Sequence, residues 1–96
     1  MKSAMSYSLP VTIFREGKAF VAYTPALDLS SVGKTEAEAR RMFAEAVEAL
    51  FEELQEMGTL ESVLKDLGWT KKAKGDLTPP KVVQHSLMTF SVPVVA

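Results

Sequence analysis

The sequence contains no cysteine and a single histidine, and these two shortages exclude several kinds of chemistry. Without cysteine there is no disulfide framework, no thiolate zinc site and no cysteine nucleophile, which is compatible with a reducing cytosol. Because His85 stands alone, it cannot build a histidine-based metal site. A lone histidine in a late strand is more often a surface or interface residue than a general base.

Long apolar runs and an excess of one charge are also missing. No apolar run approaches the roughly 18 residues that span a bilayer, and the opening stretch lacks the apolar core and cleavage site of a secretory signal. We therefore expect a cytoplasmic protein that does not enter the membrane. The formal net charge of -1 provides no field that would attract nucleic acid. With 96 residues, the chain fits one globular domain whose modest core a partner chain could extend.

What the sequence does contain is an orderly change of hydrophobic period. Residues 7–33 predict a three-stranded antiparallel meander. Apolar and polar residues alternate in "YSLPVTIFRE", Gly17 and Lys18 form a turn, and "AFVAYT" follows as a second strand rich in aromatic and β-branched residues. After the loop "PALD", the stretch "LSSV" predicts a short third strand that ends at Gly33.

A long amphipathic helix is predicted over residues 35–57. Thr35 and Glu38 have the spacing of a capping box, in which the Glu38 side chain is expected to bind the Thr35 amide. Gly58 is the expected stop, and residues 59–67 predict a second, shorter helix. The inward stripe of the long helix is expected to comprise Ala39, Met42, Phe43, Ala46, Val47, Leu50 and Leu54.

The last quarter divides into a polar and an apolar part. Residues 70–80 carry a glycine and a proline pair and predict a loop, whereas residues 81–95, rich in valine, predict a terminal strand. Because an apolar strand edge is costly in water, we expect a homodimer or higher oligomer. The candidate dimer interface is Met88, Phe90, Val92 and Val94. The predicted fold class is α+β, as one domain over residues 1–96.

The stretch "EGKAFVAYTPALDLSSVGKTEAEARRMFAEAVEALFEEL" resembles the HicB-type antitoxin family. The resemblance covers residues 7 to about 69 and rests on a glycine hairpin, "Y-x-P-x-L", a capping threonine and two "E-A" pairs. The matching positions are Gly17, Phe20, Tyr23, Pro25, Leu27, Gly33, Thr35, Glu38, Ala39, Glu45 and Ala46. The resemblance implies a partial ribonuclease-H-like fold, with the helix across the sheet and the late strand beside the first.

The resemblance also implies a function. Members of the family bind and silence a small basic ribonuclease toxin of double-stranded-RNA-binding fold (HicA-like) in type II toxin-antitoxin systems. Many members carry a C-terminal DNA-binding domain, but the present sequence closes on an apolar strand without a helix-turn-helix or ribbon-helix-helix pattern, which puts DNA binding in doubt. The matching residues themselves have structural explanations as turns, caps and close contacts.

Catalysis is not expected, although the implied fold is related to a nuclease. Two-metal hydrolysis requires several converging carboxylates, and the middle of the first strand, residues 11–13, contains none. Asp28 and Glu48 cannot form such a site alone. Phosphate-binding glycine loops and serine elbows are absent as well. We therefore expect no catalytic, metal-binding or cofactor-binding residues, and no cofactor.

Two functions are compatible with these sequence features. As an antitoxin, the protein is expected to contact the toxin through the outward acidic stripe of Glu45, Glu48 and Glu52 or through the neighbouring sheet edge. Alternatively, it is a stand-alone RNA- or ligand-binding adaptor of the same fold without a toxin partner. In that case Lys71, Lys72 and Lys74 could touch RNA, although a short basic loop is more often a solvated linker.

Overall fold

The computed structural model describes residues 6–95 and has a small α+β fold, as the sequence predicts. A three-stranded antiparallel sheet in the order β1-β2-β3 carries one long helix, followed by a short helix and a two-stranded hairpin. The elements are β1 (Thr12–Glu16), β2 (Ala19–Thr24), β3 (Leu29–Gly33), α1 (Glu36–Met57), α2 (Leu60–Asp66), β4 (Thr70–Lys71) and β5 (Leu77–Thr78).

The meander is present, but its first strand starts later than predicted. Gly17, with a φ of 63°, occupies the first central position of the two-residue turn, where a positive φ favours glycine. β1 begins at Thr12, which pairs with Tyr23 of β2. It starts no earlier because β2 ends at Thr24, just before the turn that Pro25 opens. The predicted strand character of residues 7–11 is therefore wrong. That segment lies outside the strand and contributes side chains to a core cluster instead.

The long helix begins and ends where its caps predict. The Glu38 amide donates to Thr35 Oγ1 at 3.0 Å, as in a capping box. The return bond differs from the prediction, because Glu38 Oε1 accepts at 3.1 Å from the amide of Lys34, one residue before the expected donor. At the other end, Gly58 has a φ of 70° and its amide donates to Gln55 O at 3.1 Å.

The first core cluster joins the sheet to α1 through Ala22, Ala39 and Phe43. The contact is close because Gly33 has no side chain. A Cβ atom at this position would lie 2.4 Å from the backbone nitrogen of Ala39, so only glycine lets β3 and α1 approach this far. Met42 is the exception to the predicted inward stripe, with 39% of its surface exposed.

A second core cluster forms under the other half of α1 around Leu27, Leu64 and Trp69. The Trp69 indole is 2% exposed, and its Nε1 donates to the Ala26 carbonyl oxygen at 2.8 Å. Tyr7 meets the indole edge-on with a centroid distance of 5.1 Å. Four parts of the chain therefore converge on the Trp69 indole: the segment before β1, the turn after β2, α2 and the start of β4.

A short hairpin replaces the loop that the sequence predicts over residues 70–80. β4 and β5 are two residues each and pair through Thr70 with Thr78 and Lys71 with Leu77. The connection is closed by a 2.7 Å bond from the Lys72 amide to the Asp76 carbonyl oxygen. The loop prediction is wrong because the pairing depends on Trp69 and Leu77 packing in the second cluster, which no local pattern encodes.

Residues 81–95, hereafter the apolar arm, do not form the predicted terminal strand. The arm has strand-like composition, but a strand requires a hydrogen-bonded neighbour, and within residues 6–95 the arm pairs with none. The radius of gyration is 16.5 Å, whereas a compact chain of this length has about 12.5 Å. The difference fits an arm that lies outside the packed body. Over the same described residues, no helix is long and apolar enough to cross a membrane.

Candidate interaction surface

The acidic stripe lies where the sequence predicts, on the solvent face of α1. Glu45, Glu48 and Glu52 are exposed, and at about 100° per residue they project opposite to Phe43, which faces the sheet. Glu45 pairs with Arg41 of the same helix, with Nη1 and Oε2 3.5 Å apart. This pair reduces the mutual repulsion expected among the three carboxylates.

Negative charge becomes denser toward the end of the helix. Glu52, Glu53 and Glu56 follow in the last two turns, and the final turn contains no basic residue. Carbonyl groups give this end of a helix a partial negative charge that favours cations. The second half of α1 therefore presents an uncompensated acidic surface that a cationic partner would stabilise.

The opposite side of the molecule is an uncovered sheet face that the sequence-based predictions do not include. α1 packs on one face of the sheet, and the strand register places Phe14, Val21 and Val32 side by side on the other. Phe14 and Val32 are 44% and 55% exposed, and Val21 is buried between them. The sequence carries a signal for this face, since adjacent apolar residues at Ile13 and Phe14 must face opposite sides of a strand.

Tyr23 borders this open face and is fixed by the turn that follows β2. Its hydroxyl donates to Asp28 Oδ1 at 3.0 Å. Asp28 has a φ of 48°, a left-handed conformation that aspartate tolerates better than most residues. The hydrogen bond to the carboxylate, together with desolvation and the nearby negative charge, raises the pKa of the Tyr23 phenol above 10.0.

A shallow depression lies at the end of the sheet between the β1–β2 turn and the start of α1. Its charged lining consists of Glu16, Lys18, Lys34 and Glu38. The two signs balance, and Glu38 is already engaged as part of the helix cap. The depression offers no concentrated charge for a ligand.

The carboxylates considered for a metal site serve other roles. Asp28 accepts the Tyr23 hydrogen bond, and Glu48 is exposed on the outer face of α1. Among residues 6–95, no three side chains of the histidine, cysteine, aspartate and glutamate types come together as possible metal ligands. His85 lies in the apolar arm and is exposed.

The candidate dimer residues are exposed and belong to neither of the two core clusters. Met88, Phe90, Val92 and Val94 retain between 71% and 91% of their accessible surface. Leu87 and Val95, on the other side of the arm, are at least as exposed. An exposed apolar segment of this length is unusual for a monomer in water. Most of the exposed large apolar side chains among the described residues therefore lie in the arm.

Comparisons with protein-family models, with curated proteins and with solved structures find no match to this chain. Its function is therefore inferred from the residues and geometry described above.

Proposed function

We propose that this protein is a HicB-like antitoxin of a type II toxin-antitoxin system, which binds a small basic ribonuclease (HicA-like) and inhibits it by covering its active site. The proposal is supported by the positions of the residues that carry the resemblance. Gly33, Thr35, Glu38 and Ala39 together build the junction between β3 and α1, through the helix cap and the close contact between strand and helix. The role is one of binding rather than catalysis, and it belongs in the cytoplasm.

The acidic half of α1 is the surface that best suits such a partner. Glu45, Glu48 and Glu52 are exposed on rigid helix and are continuous with further acids at a helix end that carries no basic residue. A basic ribonuclease would supply the missing cations, and long-range attraction would accelerate the encounter. The open sheet face lies on the opposite side, so one small partner cannot cover both surfaces.

Co-expression with a neighbouring small basic reading frame tests the role. We expect that frame alone to arrest growth, and we expect this chain to restore growth and to co-purify with the frame's product. Absence of toxicity together with absence of co-purification would overturn the antitoxin proposal. The purified chain should also leave RNA intact in Mg²⁺ and Mn²⁺, and cleavage that survives repurification but disappears in Asp28→Asn would show it to be an enzyme.

A charge-matched comparison tests the contact surface separately. One variant replaces Glu45, Glu48 and Glu52 with glutamine. The control replaces three acids on other surfaces, Glu16→Gln, Asp66→Asn and Asp76→Asn, and so changes the net charge equally. We expect the first variant to slow association with the toxin and to flatten its salt dependence, and the control to do neither. Equal behaviour of both variants would assign the contact to another surface while the antitoxin role stands.

The adaptor alternative is favoured by one observation, the exposed aromatic surface of the open sheet face. Phe14 and Tyr23 lie in adjacent rows there, and bases stack on aromatic side chains of single-strand-binding proteins. The basic loop gives it less support, because Lys71 Nζ already pairs with Glu61 at 3.1 Å. Titration of fluorescent single-stranded RNA distinguishes the two functions. Binding that Phe14→Ala abolishes supports the adaptor, and no binding at about 0.1 M salt, where surface charges are partly screened, removes it.

A further inference from the structure

The apolar arm and the free edge of β1 have complementary requirements. The arm exposes eight large apolar side chains between residues 82 and 95, and its residues 86–95 carry no charge. β1 is the first strand in the order β1-β2-β3, so one of its edges has no neighbour within residues 6–95. Natural proteins protect such edges with charges, bulges or a covering segment, since an open edge accepts any extended chain. We propose that the arm of one copy adds as a fourth, antiparallel strand to the β1 edge of a second copy, and that the exchange is reciprocal.

The register of the hairpin identifies which peptide groups of β1 are free. Glu16 and Ala19 flank the two-residue turn, and such a turn closes on a hydrogen-bonded pair. Hydrogen-bonded and non-hydrogen-bonded pairs alternate along an antiparallel ladder, so Phe14 bonds to Val21 of β2. The N–H and C=O groups of Ile13 and Arg15 must then point away from the sheet. These are the groups that an added strand would satisfy.

The proline in the arm selects one side of the arm for pairing. In an extended strand, residues two apart direct their N–H groups to the same side. Pro93 has no N–H, so the odd-numbered side, which also contains Thr89 and Ser91, suits the outer edge of a sheet. The even-numbered side, with Phe90 and Val92, retains its N–H groups and can pair with β1.

The same choice places the apolar residues correctly. In an antiparallel pair, residues opposite each other share a face, so the even-numbered residues would lie beside Ile13. That is the helix side of the sheet, where α1 covers β2 and β3 and leaves the β1 margin partly open. Phe20 is half-buried at this margin under the Arg15 guanidinium, 5.9 Å from the ring centroid. The set Met88, Phe90, Val92 and Val94 would extend the core there, while Thr89 and Ser91 would face outward.

The arm suits a second copy better than its own sheet. It leaves the body through Pro79 and Pro80, and residues 81–95 contain no glycine, asparagine or aspartate that would favour a reversal. In its own copy the arm pairs with no strand, and its large apolar side chains from residue 87 to 95 are at least 71% exposed, so it does not cover its own β1 edge. Burying four such side chains from each of two arms removes on the order of 500–1,000 Å² of apolar surface from the arms alone. The covered edges add to this, which brings the contact into the ~1,200–2,000 Å² range of stable interfaces.

Sedimentation velocity with a pair of proline variants tests the exchange in the full chain. Val92→Pro removes an N–H that faces β1, whereas Ser91→Pro, next to it, removes one that faces outward. We expect a micromolar dimer for the unmodified chain and for Ser91→Pro, and at least a tenfold weaker dimer for Val92→Pro. A monomeric unmodified chain, or equal weakening by both variants, would overturn the proposal.

Cross-linking identifies the contact and its direction, and the absence of native cysteine makes single introduced thiols unambiguous. Copies with Thr12→Cys are mixed with copies carrying Ser91→Cys, and copies with Glu16→Cys with copies carrying Leu87→Cys, before a short bis-maleimide is added. We expect mixed dimers from both combinations. A third mixture combines Thr12→Cys copies with Leu87→Cys copies. Efficient cross-linking of Ser91→Cys copies to one another would indicate arm-to-arm pairing, and preferential cross-linking in the third mixture would indicate a parallel strand. Either result would overturn the proposal. The test requires no toxin, so its outcome is independent of the antitoxin role.

Discussion

Trp69 and Ala26 are 43 residues apart in sequence and share a buried hydrogen bond of 2.8 Å between the indole Nε1 and the backbone carbonyl oxygen. The bond connects the start of the β4–β5 hairpin to the turn between β2 and β3. Ala26 is 3% exposed, so water cannot replace the indole as a donor. This contact holds the hairpin against the three-stranded sheet.

Removing the indole N–H donor of Trp69 should lower the stability of the fold by a measurable amount. We expect Trp69→Phe to lower the free energy of unfolding by about 1–3 kcal/mol, because it leaves a buried carbonyl oxygen unpaired and removes part of the ring. Denaturant unfolding followed by far-UV circular dichroism provides the measurement. Tyr7→Phe is the control, since it keeps the neighbouring aromatic contact to the indole. A Trp69→Phe protein as stable as the control would show that the bond contributes little.

The close approach of β3 and α1 predicts that replacement by alanine costs more stability at one glycine than at another. Gly33→Ala places a Cβ within 2.4 to 2.9 Å of backbone atoms of Glu38 and Ala39, which cannot rotate away. We expect it to cost about 3 kcal/mol or more. Gly17→Ala meets no atom within 4 Å but keeps a φ of 63°, so we expect about 1–2 kcal/mol. Thermal unfolding of both variants measures the two losses of stability. A greater loss for Gly17→Ala than for Gly33→Ala would contradict the packing described for α1.

The raised pKa of Tyr23 can be titrated directly. Tyr7→Phe leaves Tyr23 as the one tyrosine, and its ionisation is followed by ultraviolet absorbance. We expect a midpoint above 10.0 and a lower midpoint after Asp28→Asn, because the carboxylate accepts the phenol hydrogen bond and opposes the phenolate. Since the folded-state pKa is the higher one, this pair stabilises the fold fully below about pH 10 and less as the pH rises through the folded value. An unchanged midpoint in Asp28→Asn would refute the assignment.

The ion pairs of Glu61 predict that the stability of the fold changes with pH at the acid end of the scale. Lys65 and Lys71 each approach its Oε1 to 3.1 Å, and their hydrogen bonds lower its pKa below 4.5. The stabilisation is therefore complete above the unfolded value and is lost as the pH falls through the lower folded value. We expect Glu61→Gln to reduce the melting temperature at about pH 7, and to reduce it less as the pH falls below 4.5 and the carboxylate becomes protonated. Glu36→Gln, which breaks a single exposed pair with Arg40, should have a smaller effect at neutral pH. Equal effects of the two variants would contradict the role of the second lysine.

Local signals explain why the meander and α1 could be predicted from the sequence. The turn at Gly17 and the cap at Thr35 each depend on a few adjacent residues, and the structure has both. The second cluster depends instead on contacts between distant segments, so local patterns predict neither the role of Trp69 nor the β4–β5 hairpin. Strand propensity alone also misassigns residues 81–95, because a strand forms only where a neighbour offers its edge. For the candidate surface, helical spacing places the acids correctly, whereas the exposure of Phe14 requires the strand register.

The position of the single tryptophan gives the protein an internal reporter. Trp69 is enclosed by the body of the molecule, whereas the large apolar side chains at residues 87–95 of the arm are exposed and belong to neither core cluster. Its fluorescence emission should therefore shift to longer wavelength when the body unfolds and should change little when copies associate through the arm. Emission and light scattering recorded on one sample would then separate unfolding from association, two processes that a melting curve alone combines.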